Sequence, residues 1–254
     1  MKIEILFPEY CNLYGDFGNT LYLKACLPGA EFIETPLTGK PRFLGEKVDL
    51  VYMGPMSEQK QEKILGVLRP LKKEIAAQIE SGTVFLCTGN AWELFGERIE
   101  NEDGSRIEAL GILPAAAKRD FSARHNSVFL GDFEGEPVVG FKSQFSMGKT
   151  TGGVPGLFKV EKGVGLGRDA DFEGIRYKNF FGTYLIGPLL PLNPPFTRKL
   201  LSLIGAEDPT PAFEPQVEAA YRQRLKELQA EGFVAERPPE GNQLPIHLPR
   251  FGKK

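Results

Sequence analysis

The residues with most to offer chemically fall in one short stretch, where Cys87, Gly89, Asn90, Trp92 and Glu93 follow one another. Thr83-Val84-Phe85-Leu86-Cys87 is an apolar run that predicts a buried strand, and Ala91-Trp92-Glu93-Leu94-Phe95 predicts a helix start. A sharp elbow between strand and helix exposes one side chain at the helix N-terminus, where backbone N–H groups stabilise an anion. A thiol presented there would be a nucleophile. Crowding at such an elbow demands small residues two positions to either side of the exposed one. Two registers fit. With Cys87 at the apex the flanks are Phe85 and Gly89; with Gly89 at the apex they are Cys87 and Ala91. The second meets the steric rule on both sides, and its apex carries no nucleophile. Glu93 reads as a solvated residue of the first helical turn, where its charge suits the dipole.

Other motifs carry less. Gly148-Lys149-Thr150 has the ending of a phosphate-binding loop, but the glycine needed five residues earlier is Ser143. Thr151-Gly152-Gly153-Val154-Pro155 cannot open the helix such a loop requires. Gly163-Val164-Gly165-Leu166-Gly167 reads as a turn between strands. His125 and His247 have no second ligand at metal spacing, so each is expected at the surface and no metal or other cofactor is expected.

The elements that would position the elbow are those of an α/β sheet. Met1 to Phe7 reads as a first strand ending at Pro8, and Val48 to Met53 as a buried strand ending at Gly54-Pro55. Between Ser57 and Glu80, Ile64, Leu68, Leu71, Ile75 and Ile79 recur at spacings of three and four, which predicts one amphipathic helix stopped by Ser81-Gly82. From about 98 to 185 the pattern is β-rich, with strands expected at Ser127–Leu130, Pro137–Phe141 and Gly156–Val160. Thr197–Ile204 and Gln216–Glu231 read as helices. One domain is expected over 1–232, with a tail over 233–254 that turns Pro-, Gly- and base-rich from Arg237.

Composition limits the chemistry further. Among 254 residues there are 31 Lys+Arg against 33 Asp+Glu, a formal net charge of −2, which argues against a nucleic-acid partner. Two His leave few candidates for base catalysis. Three Cys, none in a CxxC pair, suggest neither a disulfide framework nor a zinc knuckle and fit a reduced cytoplasmic protein. No run approaches the roughly 18 apolar residues of a membrane span, and the first residues do not resemble a signal peptide.

Two long strings are more specific. Asn12-Leu13-Tyr14-Gly15-Asp16-Phe17-Gly18-Asn19 and Tyr177-Lys178-Asn179-Phe180-Phe181-Gly182-Thr183-Tyr184-Leu185, the latter continuing into Gly187-Pro188-Leu189-Leu190-Pro191-Leu192-Asn193-Pro194, resemble class I glutamine amidotransferases of the cobyric-acid-synthase (cobalamin-type) branch. Within it, the chain is most similar to the glutaminase subunits of lipid II isoglutaminyl synthase. Val139-Gly140-Phe141 and Gly104 to Leu113 support the likeness, which covers about residues 3–230. It implies a three-layer, flavodoxin-like α/β fold with a mostly parallel central sheet, an added β-rich segment, and the elbow at the sheet's carboxyl edge. It also implies a Mur-ligase-like ATP-dependent synthase subunit as partner, amidating the peptide stem of a peptidoglycan precursor.

In that family an elbow cysteine attacks the glutamine amide, a histidine activates it and backbone amides hold the oxyanion. Aligned without gaps, the cysteine position is Gly89 here, followed by Asn90, Ala91, Trp92 and Glu93. The histidine position, fixed by flanks on both sides, is Ile186. The glycine triplet of the oxyanion loop reads Gly54-Pro55-Met56, and proline has no N–H to donate. Arg124 matches an arginine that holds substrate in the family. No catalytic pair is intact; Cys87 is the fallback nucleophile, with His125 its only candidate base. Three readings follow: a non-catalytic pseudo-glutaminase acting through a partner or a small-molecule ligand; an active amidotransferase or hydrolase rewired around Cys87, Asn90 or Glu93; and a binding module whose cavity is closed by Met56, Trp92 and Ile186.

Overall fold

A central sheet grows from short apolar strands whose alternate residues face two different helical layers. The computed structural model describes residues 1–122 and 124–236. In chain order the elements are β1 (Lys2–Leu6), α1 (Phe17–Cys26), β2 (Glu31–Thr35), β3 (Leu50–Met53), α2 (Glu58–Leu68), α3 (Lys72–Glu80) and β4 (Val84–Thr88). Then come β5 (Arg98–Glu100), β6 (Arg106–Glu108), β7 (Ala115–Arg119), β8 (His125–Phe133), β9 (Glu136–Gln144), β10 (Ser146–Thr150), β11 (Gly156–Lys162), β12 (Phe172–Tyr177) and β13 (Phe180–Thr183). Three helices follow: α4 (Leu189–Leu192), α5 (Pro194–Leu203) and α6 (Glu214–Gln229).

The large sheet has the order β2-β1-β3-β4-β13-β12-β11-β8-β9. Its first five strands are parallel and its last four pair antiparallel, so the sheet is mixed, with the parallel character confined to the half that carries the elbow. A second sheet, β10-β7-β5-β6, accounts for the rest of the β-rich segment. Three layers result. Phe85 and Cys87 of β4 pack with Ile64, Leu68, Ile75 and Ile79 on one face, and Val84 and Leu86 with Leu23, Phe196 and Leu200 on the other.

The helix expected over 57–80 is two helices. Pro70 lies in a 3-10 turn, Arg69–Leu71, because it lacks an N–H and its ring collides with the preceding turn's carbonyl. The apolar face survives the break, since Ile64, Leu68, Ile75 and Ile79 are all buried. The predicted helix after the elbow is a 3-10 stretch, Gly89–Phe95. Gly148–Thr150 lies in β10, and Gly163–Gly167 links β11 to β12 as the expected turn. Of the expected tail, residues 233–236 run beside β8, where Ala235 O accepts from Val128 N–H at 3.0 Å and Glu236 bridges to Ser127. His247 and the rest of the tail lie outside the described residues. Among the described residues, no helix is long and apolar enough to cross a membrane.

Candidate functional site

Gly89 is the apex of the turn that leaves β4. Its φ of 57° is left-handed, a conformation costly for any residue with a Cβ. A Cβ built there would also fall on the side chain of Pro55, closer than carbon atoms approach in proteins. The loop after β3 therefore fills the volume that a side chain at the elbow would need. Gly54 permits that loop's course, because a Cβ on it would strike Cys11 O and the Asp16 carboxylate.

Asn90 ties the elbow to this loop reciprocally. Its Oδ1 accepts from Met56 N–H at 3.0 Å and its Nδ2 donates to Met56 O at 2.8 Å. The loop after β3 thus has no free donor at these two positions: Pro55 has no N–H, and that of Met56 is committed. Ile186 donates its backbone N–H to Phe141 O at 2.9 Å and presents an apolar side chain.

Gly89 and Ile186 line one cleft of about 140 Å³ together with Pro55, Met56, Asn90, Arg124, Gln144, Ser146 and Tyr184. A larger hollow of about 670 Å³ lies between Leu44–Asp49 and Gln78–Val84, at the amino edge of the sheet. The residues with chemistry converge on the smaller one, at the carboxyl edge of the parallel strands, where α/β sheets bind ligands. Arg124 sits exposed in the cleft wall, its guanidinium carbon 4.5 Å from the centroid of Phe145 and 5.9 Å from that of Tyr14.

Cys87 is not at the elbow. Its thiol lies in the buried face of β4, within the core that also holds Cys11, and desolvation pushes it well above the ordinary thiol range. His125, expected at the surface, is buried at the start of β8. Its Nε2 lies 3.0 Å from Ser127 Oγ and its Nδ1 3.2 Å from Glu236 Oε1, and burial lowers its pKa. Glu236 lies against it, a contact that its loop-like sequence did not reveal. The structure does not bring His125 and Cys87 together in the cleft.

Glu93, expected in solvent, is fully buried behind the cleft. Its Oε1 accepts from the hydroxyls of Ser146 and, at 2.8 Å, Tyr184; its Oε2 accepts from Gln61 Nε2 at 2.8 Å. Gln61 in turn accepts from Arg119 Nη2 at 2.9 Å. Burial raises the Glu93 pKa, opposed by these hydrogen bonds and by the Arg119 charge. Glu93 faces inward because the 3-10 turn rotates it under the second sheet, away from the solvated side of an α-helix. Trp92 is likewise behind the wall: its ring fits between Gly148 and Gly182 and meets Tyr184 edge-on at 5.2 Å. Met56 and Ile186 narrow the cavity without closing it.

Beneath the elbow lies a second buried cluster. Asp16 accepts from Thr88 Oγ1 at 2.6 Å, from Asn19 Nδ2 at 3.0 Å and from the Tyr52 hydroxyl. The string from Asn12 to Asn19 therefore anchors its own loop under β3 and β4. Burial pushes the Asp16 carboxyl up to about 6. Sequence reasoning missed Asp16, Gln61, Arg119, Gln144, Ser146 and Tyr184 as individual residues. The available signals were the unusual strings around Asp16 and Tyr184, and the polar run Lys142–Ser146 within a strand-like region.

Fold and site together define a glutamine amidotransferase-like domain. Residues 2–194 match the CobB/CobQ-like glutamine amidotransferase domain, and the chain belongs to that family. It is 28% identical over 218 residues to the lipid II isoglutaminyl synthase (glutamine-hydrolyzing) subunit GatD of Staphylococcus aureus (strain N315), covering 85% of this chain and 88% of that protein. The protein of the same description from Streptococcus pneumoniae (strain ATCC BAA-255 / R6) is 26% identical over 227 residues, covering 84% and 86%. The crystal structure of a glutamine amidotransferase is similar with a TM-score of 0.54 at 17% identity, covering 80% of this chain and 99% of that one. A glutamine amidotransferase from Thermotoga maritima gives 0.51 at 11% identity, covering 89% and 92%. These structural likenesses bear on the fold.

Proposed function

We propose that this chain is a glutaminase-like subunit without glutamine-hydrolysing chemistry, acting through a partner and a retained ligand cleft. The observation that carries the reading is the exchange of volumes at the elbow. Gly89 supplies no nucleophile, and Pro55 fills the space one would occupy. Two further features support it. Ile186 cannot accept a proton where the family has its histidine, and Met56 N–H is engaged by Asn90. The deep burial of Cys87 counts against a site rewired around that thiol.

The partner this reading calls for is a Mur-ligase-like, ATP-dependent synthase subunit, and the process is amidation of the lipid II peptide stem in the cytoplasm. The similarity to synthase subunits supports this part. The test is glutamine-dependent ammonia release by the purified protein, alone and with the synthase subunit co-expressed. No release above the protein-free rate is expected in either sample, with Cys87→Ala indistinguishable from wild type. Release by the wild type overturns the reading, and its loss in Cys87→Ala would assign the chemistry to that thiol.

A further inference from the structure

A hollow of about 540 Å³ lies between α5 and the turn joining β8 to β9, and shares no lining residue with the cleft at the elbow. Phe133, Phe181 and Phe196 back it, packed edge-to-face on one another, and Leu203 in its lining is 40% exposed. Two cations meet against this aromatic wall. The Arg176 guanidinium carbon is 5.6 Å from the Phe133 centroid and 5.4 Å from that of Phe181, and Lys199 Nζ is 5.2 Å from that of Phe133. Glu134 holds them side by side: its Oε1 accepts from Arg176 Nη1 at 2.5 Å and its Oε2 from Lys199 Nζ at 3.2 Å. One carboxylate between two cations leaves positive charge in surplus. The other lining carboxylate, Glu136, is exposed and bridges to neither. Arg198, the third cation of the lining, is committed to Glu214 and Glu218 of α6. The turn itself is Glu134-Gly135, both left-handed with φ of 55° and 90°, where Asn or Asp would be easier at the first position. The longer side chain of glutamate is what reaches both cations.

We propose that this hollow binds an amphipathic organic anion, a single carboxylate carried on an apolar body. A guanidinium has five N–H donors and an ammonium three, and Glu134 takes up only part of them, so a second carboxylate can join it on Arg176 and Lys199. The apolar body lies along the phenylalanine wall and Leu203, where its removal from water is favourable. The volume falls within the range of about 300–1,000 Å³ usual for small-molecule sites. An inorganic anion gains nothing from the apolar wall. A neutral amphiphile leaves the surplus charge unmatched, and a cationic one meets it with like sign.

The experiment is calorimetric titration of the full-length protein with decanoate, decyltrimethylammonium and acetate. Decanoate is expected to fill one site with a Kd below about 1 mM, at least about tenfold tighter than decyltrimethylammonium, with no saturation by acetate at about 10 mM. Arg176→Gln and Lys199→Gln should each weaken decanoate at least about fivefold. Glu134→Gln removes the competing carboxylate and should tighten it at least about threefold. Lys47→Gln, an exposed lysine of the neighbouring hollow, should leave the affinity within about twofold. Decanoate binding no tighter than decyltrimethylammonium, uptake at several sites without saturation, or no binding at about 10 mM overturns the proposal. So does an affinity that Arg176→Gln and Lys199→Gln leave unchanged, or that Lys47→Gln lowers as much as they do. A Glu134→Gln protein that binds decanoate no more tightly than wild type also counts against it. Should Arg176→Gln fail to fold, Lys199→Gln and Glu134→Gln decide. Nothing at the elbow enters this binding, so glutamine hydrolysis bears on none of these outcomes.

Discussion

At the scale of single residues, Gly89 and Pro55 share one volume, so Gly89 has no room for a side chain while Pro55 keeps its ring. Gly89→Cys adds a Cβ at a left-handed φ and drives it into the proline ring. Strain and overpacking together should cost about 2–5 kcal/mol in urea unfolding. In a double-mutant cycle with Pro55→Gly the two should couple favourably by about 1–3 kcal/mol, because the second change removes the collision. Additive effects would show that the ring yields freely. Asp16 makes a prediction about pH. Burial lifts its carboxyl from the ordinary 3.8 to about 6, so between those values the native state holds a proton the unfolded chain has released. Its stabilising contribution is full below about pH 4 and is lost as pH rises through about 6. The stability of wild type minus that of Asp16→Asn should therefore fall by up to about 3 kcal/mol between about pH 4 and pH 7, read from urea melts.

At the scale of elements, the cleft depends on how the loop after β3 is held against the turn after β4. Parallel pairing sets Met53 opposite Cys87 and so brings both strand ends to one edge. Asn90 then clamps the two loops through both hydrogen bonds to Met56. Asn90→Ala should cost about 1–3 kcal/mol and speed amide exchange at Met56, which keeps no other donor role in the clamp. Unchanged exchange at Met56 would mean that packing against Pro55 alone holds the loop. The split at Pro70 belongs here too: two short helices cover the core face, and the break leaves the buried stripe continuous.

At the scale of the whole molecule, the parallel half with the elbow and the antiparallel half meet around a buried ion pair. Lys142 Nζ lies 3.5 Å from Glu173 Oε1 with both side chains wholly buried, and also donates to Val164 O at 3.0 Å and Gly165 O at 2.5 Å. Glu173 in turn accepts from Tyr184 N–H at 2.8 Å and from the Thr183 hydroxyl at 2.5 Å. This chain of bonds leads from β9 to the segment that ends at Ile186. Lys142→Met should lose about 3–5 kcal/mol, because it strands the Glu173 charge in the interior, and adding Glu173→Gln should recover part of that loss. A Lys142→Met protein of wild-type stability would show that the hydrogen bonds from Tyr184 N–H and the Thr183 hydroxyl hold Glu173 without the lysine.

The sequence by itself determined the α/β class and the existence of the elbow, and it offered Gly89 and Ile186 as the positions to compare with the family's cysteine and histidine. Those features are local: strand periodicity, glycine where a Cβ does not fit, and residue identity within ungapped strings. Only the tertiary structure decided what replaces them. That Pro55 stands in the space above Gly89, that His125 meets Glu236, and that Glu93 turns inward are contacts between distant segments. Side-chain burial is set by what packs over a residue, and no local pattern records which segment that will be. The same holds for Gln144. It lines the cleft because β9, β10 and the end of β13 converge there, a juxtaposition made by sheet order.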